Sequence, residues 1–222
     1  MRKTVYSLVL SDDVVAQIDR LAYQYGTNRS NMINRILADY VSYVTPEKRM
    51  QKTFEQMQNL MNRCDTFKIL MQPSESLFSL RSALTYKYNP TVKYTVELYR
   101  TPAEDFGELR VSLRTQNAAL LLYMHQFFRL WMTVESRYIG KCSYALEDGK
   151  FMRRLSLRPL SGQELSFEHI TSETLGEWIY SYIDLFDRCL KVYFYYLENP
   201  NLAALEIEKL YRGFLNEAEA II

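Results

Sequence analysis

The chain has 222 residues, with Lys+Arg of 27 against Asp+Glu of 26, so at a net charge of +1 no global basic field draws it to nucleic acid and any such binding must be local. A hydrophobic fraction of 48% with 24% charged residues excludes a disordered chain, and only 7 Gly and 6 Pro exclude collagen-like, low-complexity and Gly-rich phosphate-loop readings. The three cysteines (Cys64, Cys142, Cys189) are far apart with no C-x-x-C pair, and His125 and His169 have no partner at ligand spacing, which points to a reducing compartment and to neither a metal site nor a cofactor.

Met1-Arg2-Lys3 opens like a signal peptide, but the apolar stretch from Val5 to Leu10 is interrupted by Ser7 and stopped by Ser11-Asp12-Asp13, too short for a signal core. The apolar run Ala118 to Val134 contains His125, Gln126 and Arg129, so a helix buried on most faces is expected rather than a membrane span. A soluble, cytoplasmic protein without membrane contact is the expectation.

Residues 4–10 are rich in β-branched and aromatic side chains and read as a strand. Ser11 is the N-cap candidate of a helix with Asp12 and Asp13 in its first turn, the stripe Val14, Ile18, Leu21, Ala22, Tyr25, and Gly26 at its C-terminal cap. Asn28 caps a second helix carrying Met32, Ile33, Ile36, Leu37, Tyr40, Val41 and Val44, which Pro46 stops. A unit of this size buries too little core alone, and one lone strand leaves its edge unpaired. Two copies that pair their strands antiparallel and interlock their helices remove both problems.

Ser7-Leu8-Val9-Leu10-Ser11-Asp12-Asp13-Val14, Ile18-Asp19-Arg20-Leu21-Ala22 and Gly26-Thr27-Asn28-Arg29-Ser30 resemble the ribbon-helix-helix DNA-binding family, the class of the MetJ, Arc and CopG repressors, over residues 2–45. The resemblance implies an obligate, intertwined homodimer whose two-stranded ribbon enters the major groove of double-stranded DNA. Strand alternation then places Tyr6, Leu8 and Leu10 in the dimer core, with Ile33 and Leu37 from the second helix, and leaves Val5, Ser7 and Val9 facing the bases. The second helix start at Asn28, Arg29 and Ser30 would hold a phosphate, with Arg2 and Lys3 adding backbone contacts. The sequence departs from the family where Val5 and Val9 stand, because valine offers base edges no hydrogen bond and touches only thymine methyls.

Beyond the module (residues 1–46), Glu47 to Arg63 reads as a connecting helix with Phe54, Met57, Leu60 and Met61 on one face, within a connector of residues 47–65. Residues 66–222 read as an α+β domain for oligomerisation or effector sensing, an antiparallel meander packed on long helices. Thr66–Met71 is a short strand. Phe78, Leu80, Leu84, Tyr86 and Tyr88, then Val92, Tyr94, Val96 and Leu98, then Leu109, Val111 and Leu113 alternate with polar residues, with a turn at Asn89-Pro90. The wet face carries Arg81, Lys87, Lys93, Arg110 and Arg114 with Glu97 and Glu108 interspersed. Its expected role is a solvated surface, since the aromatics alternate inward and a base-stacking platform needs exposed rings.

Asn117 caps a helix to Ile139 that is apolar almost all round, with His125 expected buried and Glu135 and Arg137 expected on the surface. Asp148-Gly149 marks a hairpin, followed by Arg153, Arg154 and Arg158, which either pair with acids or touch phosphate. Glu173–Leu197 is strongly amphipathic, with Asp184 and Asp187 on its wet side, and Asn199-Pro200 breaks it before a last helix that runs from about Leu202 to the C-terminus. The run Tyr193–Tyr196 marks a subunit interface or a ligand pocket. No catalytic constellation is present, so the chain does not read as an enzyme. Two functions remain open: a sequence-specific, repressor-type transcription regulator of bacterial kind, or an assembly protein of a plasmid or mobile element in which the module only dimerises and the C-terminal domain recruits a protein partner.

Overall fold

The computed structural model describes residues 5, 7–41, 43–71, 76–87, 89–147, 149–160 and 166–222. Internal contacts divide the chain into two units, Met1–Arg49 and Met50–Ile222.

In the first unit the first regular element is a helix. Residues 5 and 7–10, expected as a strand, have no ladder partner among the described residues of the single chain, and residues 4 and 6 of that stretch lie outside the described ones. A solitary strand gains no hydrogen bond to offset its ordering entropy. Helix α1 (Asp12–Gln24) starts at Ser11, whose backbone is extended as a cap requires but whose hydroxyl makes no capping bond. It ends in a Schellman pair, the N–H of Thr27 donating to Ala22 O and that of Gly26 to Tyr23 O, at 2.9 and 3.2 Å. Gly26 sits at φ +58°, where any side chain would strain. Helix α2 (Arg29–Tyr40) is capped by Asn28, whose side-chain carbonyl accepts from Asn31 N–H at 2.9 Å.

Helix α2 stops before Val41 and Val44, and Pro46 begins the next helix instead of ending this one. Its locked φ and missing N–H suit the first helical position. Among the described residues of this unit the buried hydrophobics are Ile18, Ala22, Met32 and Ala38, with Ile33 packed half-buried against the first three.

The second unit is an α+β assembly around a six-stranded antiparallel sheet, β1 (Phe67–Met71), β2 (Leu77–Ala83), β3 (Thr91–Leu98), β4 (Asp105–Leu113), β5 (Tyr144–Glu147) and β6 (Lys150–Ser156), in the order β1-β2-β3-β4-β6-β5. The expected meander is β2–β3–β4, and the expected short strand is β1 at its edge. The expected hairpin is β5–β6, with Glu147 opposite Lys150 across a two-residue turn whose Asp148 lies outside the described residues. Strand β2 is shorter than its alternation suggested, because the turn at residues 84–90 begins directly after Ala83 and passes through Asn89 at φ +42°. Tyr88 lies outside the described residues.

Aromatic contacts fix how the helices lie on the sheet. Phe54 of α3 (Pro46–Met61) stacks on Phe78 of β2, and Phe186 of α5 (Ser172–Tyr195) meets Tyr94 of β3 edge-on. Phe128 of α4 (Ala118–Ile139) stacks on Phe151 of β6. Tyr211 of α6 (Pro200–Glu217) packs edge-on against Trp131 of α4. Burying each such side chain fully contributes roughly 1.5–3 kcal/mol. Helix α4 keeps one open face, with Leu122, Gln126 and Arg129 exposed and His125 only half-buried, rather than the enclosed helix and buried histidine expected. Helix α6 does not reach the C-terminus: β8 (Ala220–Ile221) pairs with β7 (Arg158–Pro159), and Ala220, Ile221 and Ile222 are buried.

Helices α3 and α5 touch backbone to backbone at Gly176, where a Cβ would lie 2.7 Å from Thr53 O and 2.9 Å from Gln56 Cβ. Gly176→Ala therefore has to push two helices apart, and a loss of about 1–3 kcal/mol is expected in urea unfolding. A midpoint equal to that of the parent would show that the helices separate at no cost.

Candidate nucleic-acid interface

The residues expected to face DNA bases are open. Val5 and Val9 are 98% and 100% exposed, and Ser7 is exposed beside them. Leu8 (60%) and Leu10 (39%), expected in a dimer core, are also uncovered in the single chain, as is Leu37 on α2 at 51%. Most of the large apolar side chains that stand exposed among the described residues fall in this unit, including Val14, Leu21, Ile36, Tyr40, Val41 and Val44. Arg2, Lys3 and Tyr6 lie outside the described residues.

At the start of α2 the N–H groups of Asn31 and Met32 are taken by the side chain and carbonyl of Asn28, at 2.9 and 3.0 Å. Those of Arg29 and Ser30 are first-turn donors with no intrahelical acceptor, at the positive end of the helix dipole. The Arg29 side chain, as distinct from its backbone N–H, is engaged within the unit. Its Nε and Nη2 donate to the two oxygens of Asp19 at 2.7 and 2.6 Å, a two-pronged clasp from α2 to α1. The hydrogen bonds from Arg29 hold the Asp19 carboxyl below the usual carboxylate range. A second tie sets Arg35 over the Tyr25 ring at 4.5 Å.

In the second unit the arginine cluster resolves into three fates. Arg153 is fully buried and paired with Glu135 (Nη2 to Oε1, 2.9 Å; Nε to Oε2, 3.1 Å), and Glu135, expected on the surface, is itself wholly buried. Tyr182 and Tyr144 also donate to Glu135 at 2.9 and 2.7 Å, and Trp131 Nε1 donates to Tyr182 Oη at 3.1 Å. Burial raises the Tyr182 pKa well above its ordinary value, which keeps it a proton donor. Arg154 lies over the Tyr99 ring and donates to its hydroxyl, while Arg158 donates to the carbonyls of Ile139 and Lys141 at 2.6 and 2.5 Å.

Asp187, expected wet, is buried. It accepts from Tyr94 (2.8 Å) and Ser82 (3.1 Å) and pairs with Lys191 at 2.6 Å. These networks join helices to the sheet and are structural. Within the Tyr193–Tyr196 run, Tyr193 and Phe194 are core, whereas Tyr195 and Tyr196 line a surface cleft of about 490 Å³ with Thr85, Lys191, Glu206 and Leu210.

Among the described residues no group of three or more His, Cys, Asp or Glu is placed to hold a metal ion, and no helix is long and apolar enough to cross a membrane. No protein-family model, curated protein or solved structure matches the chain.

Proposed function

We propose that the chain is a dimeric, sequence-specific DNA-binding regulator whose amino-terminal unit forms a ribbon-helix-helix with a second copy. The observation that carries the reading is the apolar excess of residues 5–44. With four buried hydrophobics among its described residues, the unit leaves Leu8, Leu10, Leu21, Ile36, Leu37 and Val41 uncovered, far more than a monomeric surface of that size carries without a partner. The order of an alternating apolar segment, a glycine-capped helix and an Asn-capped helix supports the module. In the dimer, Val5, Ser7 and Val9 face the groove, valines against thymine methyls and Ser7 against a polar base edge, while the first-turn amides of Arg29 and Ser30 seat a phosphate. The second unit then serves oligomerisation or effector sensing.

Selection of duplexes from a random library by the full chain is expected to enrich two half-sites about one helical turn apart. Retention of the library without enrichment would overturn sequence-specific reading. That result favours the second reading, in which the module dimerises only and the second unit recruits a protein partner. The observation on its side is that Val5 and Val9 have no polar atom to offer and the Arg29 fork is already held by Asp19. Under it, replacing Tyr195 or Tyr196 abolishes partner capture while the dimer persists.

A further inference from the structure

We infer that the solvent face of the sheet in the second unit is a docking surface for the phosphodiester backbone of double-stranded nucleic acid, centred on Lys68, Arg81 and Lys93. Strand register sets these three directly beside one another: Lys68 of β1 is opposite Arg81 of β2, and Arg81 is opposite Lys93 of β3. Lys93 in turn faces Ser112 of β4, and Arg114 follows directly after the end of that strand. All four cations are exposed. Among the described residues none of them has a carboxylate within ion-pairing distance.

The same face treats its other charges in the opposite way. Towards the far end of β3 and β4, Glu97 is opposite Glu108, and Glu108 is opposite Arg154 of β6. Arg110 pairs with Glu97 at 2.8 Å and also with Glu108, and Tyr99 donates to Glu108 at 3.0 Å. Burial and Glu108 push the Tyr99 hydroxyl up to about 12. One end of the face is neutralised by its own network, while the other keeps like charges in adjacent cross-strand positions, which disfavours the fold unless an anion from outside offsets it.

The geometry selects the anion. Two strand spacings separate Lys68 from Lys93, roughly 10 Å. That is too long for one phosphate and covers about three steps of one duplex strand at 3.4 Å of axial rise each, so the row meets successive phosphates of a polyanion. Among the described residues the rings beside the row point the other way: Phe78 and Tyr94 are fully buried and Tyr99 at the far end lies under Arg154, so the row has no aromatic shelf for unstacked bases and meets the backbone of a duplex. Binding of this kind carries no sequence information and does not depend on the ribbon reading.

The test uses the full chain and a short labelled duplex of random sequence, with anisotropy titrations between about 50 and 200 mM salt. Lys68→Gln/Arg81→Gln/Lys93→Gln is compared with a variant that loses the same charge from exposed helical positions, Arg129→Gln/Arg188→Gln/Lys209→Gln. The sheet variant is expected to weaken binding about tenfold or more and to flatten the slope of log K against log salt by about 2–3, since each phosphate contact contributes about 0.9. The helix variant should keep the parent slope. Equal slopes for the two variants, or a parent chain that does not bind the duplex, overturn the inference. Displacement of the duplex by polyglutamate at equal charge concentration also overturns it, in favour of an acidic polypeptide. Loss of library enrichment with the sheet-dependent slope intact sinks the ribbon reading alone.

Discussion

Glu135→Leu should be the most damaging single substitution in the second unit, costing about 3–5 kcal/mol, because it leaves the Arg153 guanidinium buried without its counter-charge. Both side chains are 0% exposed, so water cannot replace the lost partner without opening the core. What remains around Arg153 is the Tyr182 ring at 4.6 Å, the Cys142 sulfur at 3.7 Å and a long bond to the Arg154 carbonyl at 3.3 Å. None of these neutralises a full charge.

Adding Arg153→Met removes that charge and should recover part of the loss, yet the hydroxyls of Tyr144 and Tyr182 then have no carboxylate to donate to. Each buried unsatisfied donor costs about 1–3 kcal/mol. The triple variant with Tyr144→Phe should therefore be more stable than the double, whereas Tyr182 keeps its hydroxyl because it also accepts from Trp131 Nε1. Urea midpoints at constant slope would establish the order single, double, triple. A single variant no less stable than the double would show that water reaches Arg153 and that its charge is not stranded.

The buried pair explains what the sequence withheld and what it offered unread. Arg153 alternates with Phe151 and Leu155 on β6, so its inward direction was legible, and Glu135 follows Trp131 by one helical turn on the buried stripe of α4. Judged by residue type alone, Glu135 reads as a surface charge near the end of its helix, and Arg153 as one of an arginine cluster that pairs with acids or touches phosphate. Asp187 was hidden for the same reason, lying one residue from Phe186 on a helix whose buried arc is wider than a simple stripe. Strand alternation, the Asn28 and Asn117 caps and the two-residue hairpin were readable because they are local. The Lys68, Arg81, Lys93 row was not, since only the inter-strand register, set by long-range pairing, brings residues 13 and 12 positions apart into line. The Asp19 clasp on Arg29 is likewise a contact between two helices that neither helix announces.

Leu37→Glu carries the largest expected effect in the first unit. Leu37 is 51% exposed in the single chain but lies on the α2 stripe expected to interlock with a second copy, so in a dimer the new carboxylate would be buried without a partner. Dimer dissociation should rise by about a hundredfold or more, a change of roughly 2.7 kcal/mol, measured by sedimentation equilibrium. Tyr23→Glu, at a position 89% exposed on α1 and outside the expected interface, should leave the association constant within about twofold of the parent, as surface substitutions do.

Dissociation should also unfold the unit. Ile18, Ala22 and Met32 with a half-buried Ile33 are too small a core to offset the ordering entropy of two helices of 13 and 12 residues. Helicity lost on dilution of the parent chain should then be regained on concentration, the signature of folding coupled to association. In Leu37→Glu it should be missing at every accessible concentration. If the variant stays helical as a monomer, the apolar surface of this unit is not a dimer core in waiting, and both the regulator and the assembly reading lose their common footing. If helicity and association fall together, Leu8 and Leu10 are covered at the moment the helices are, because the same second copy supplies both surfaces.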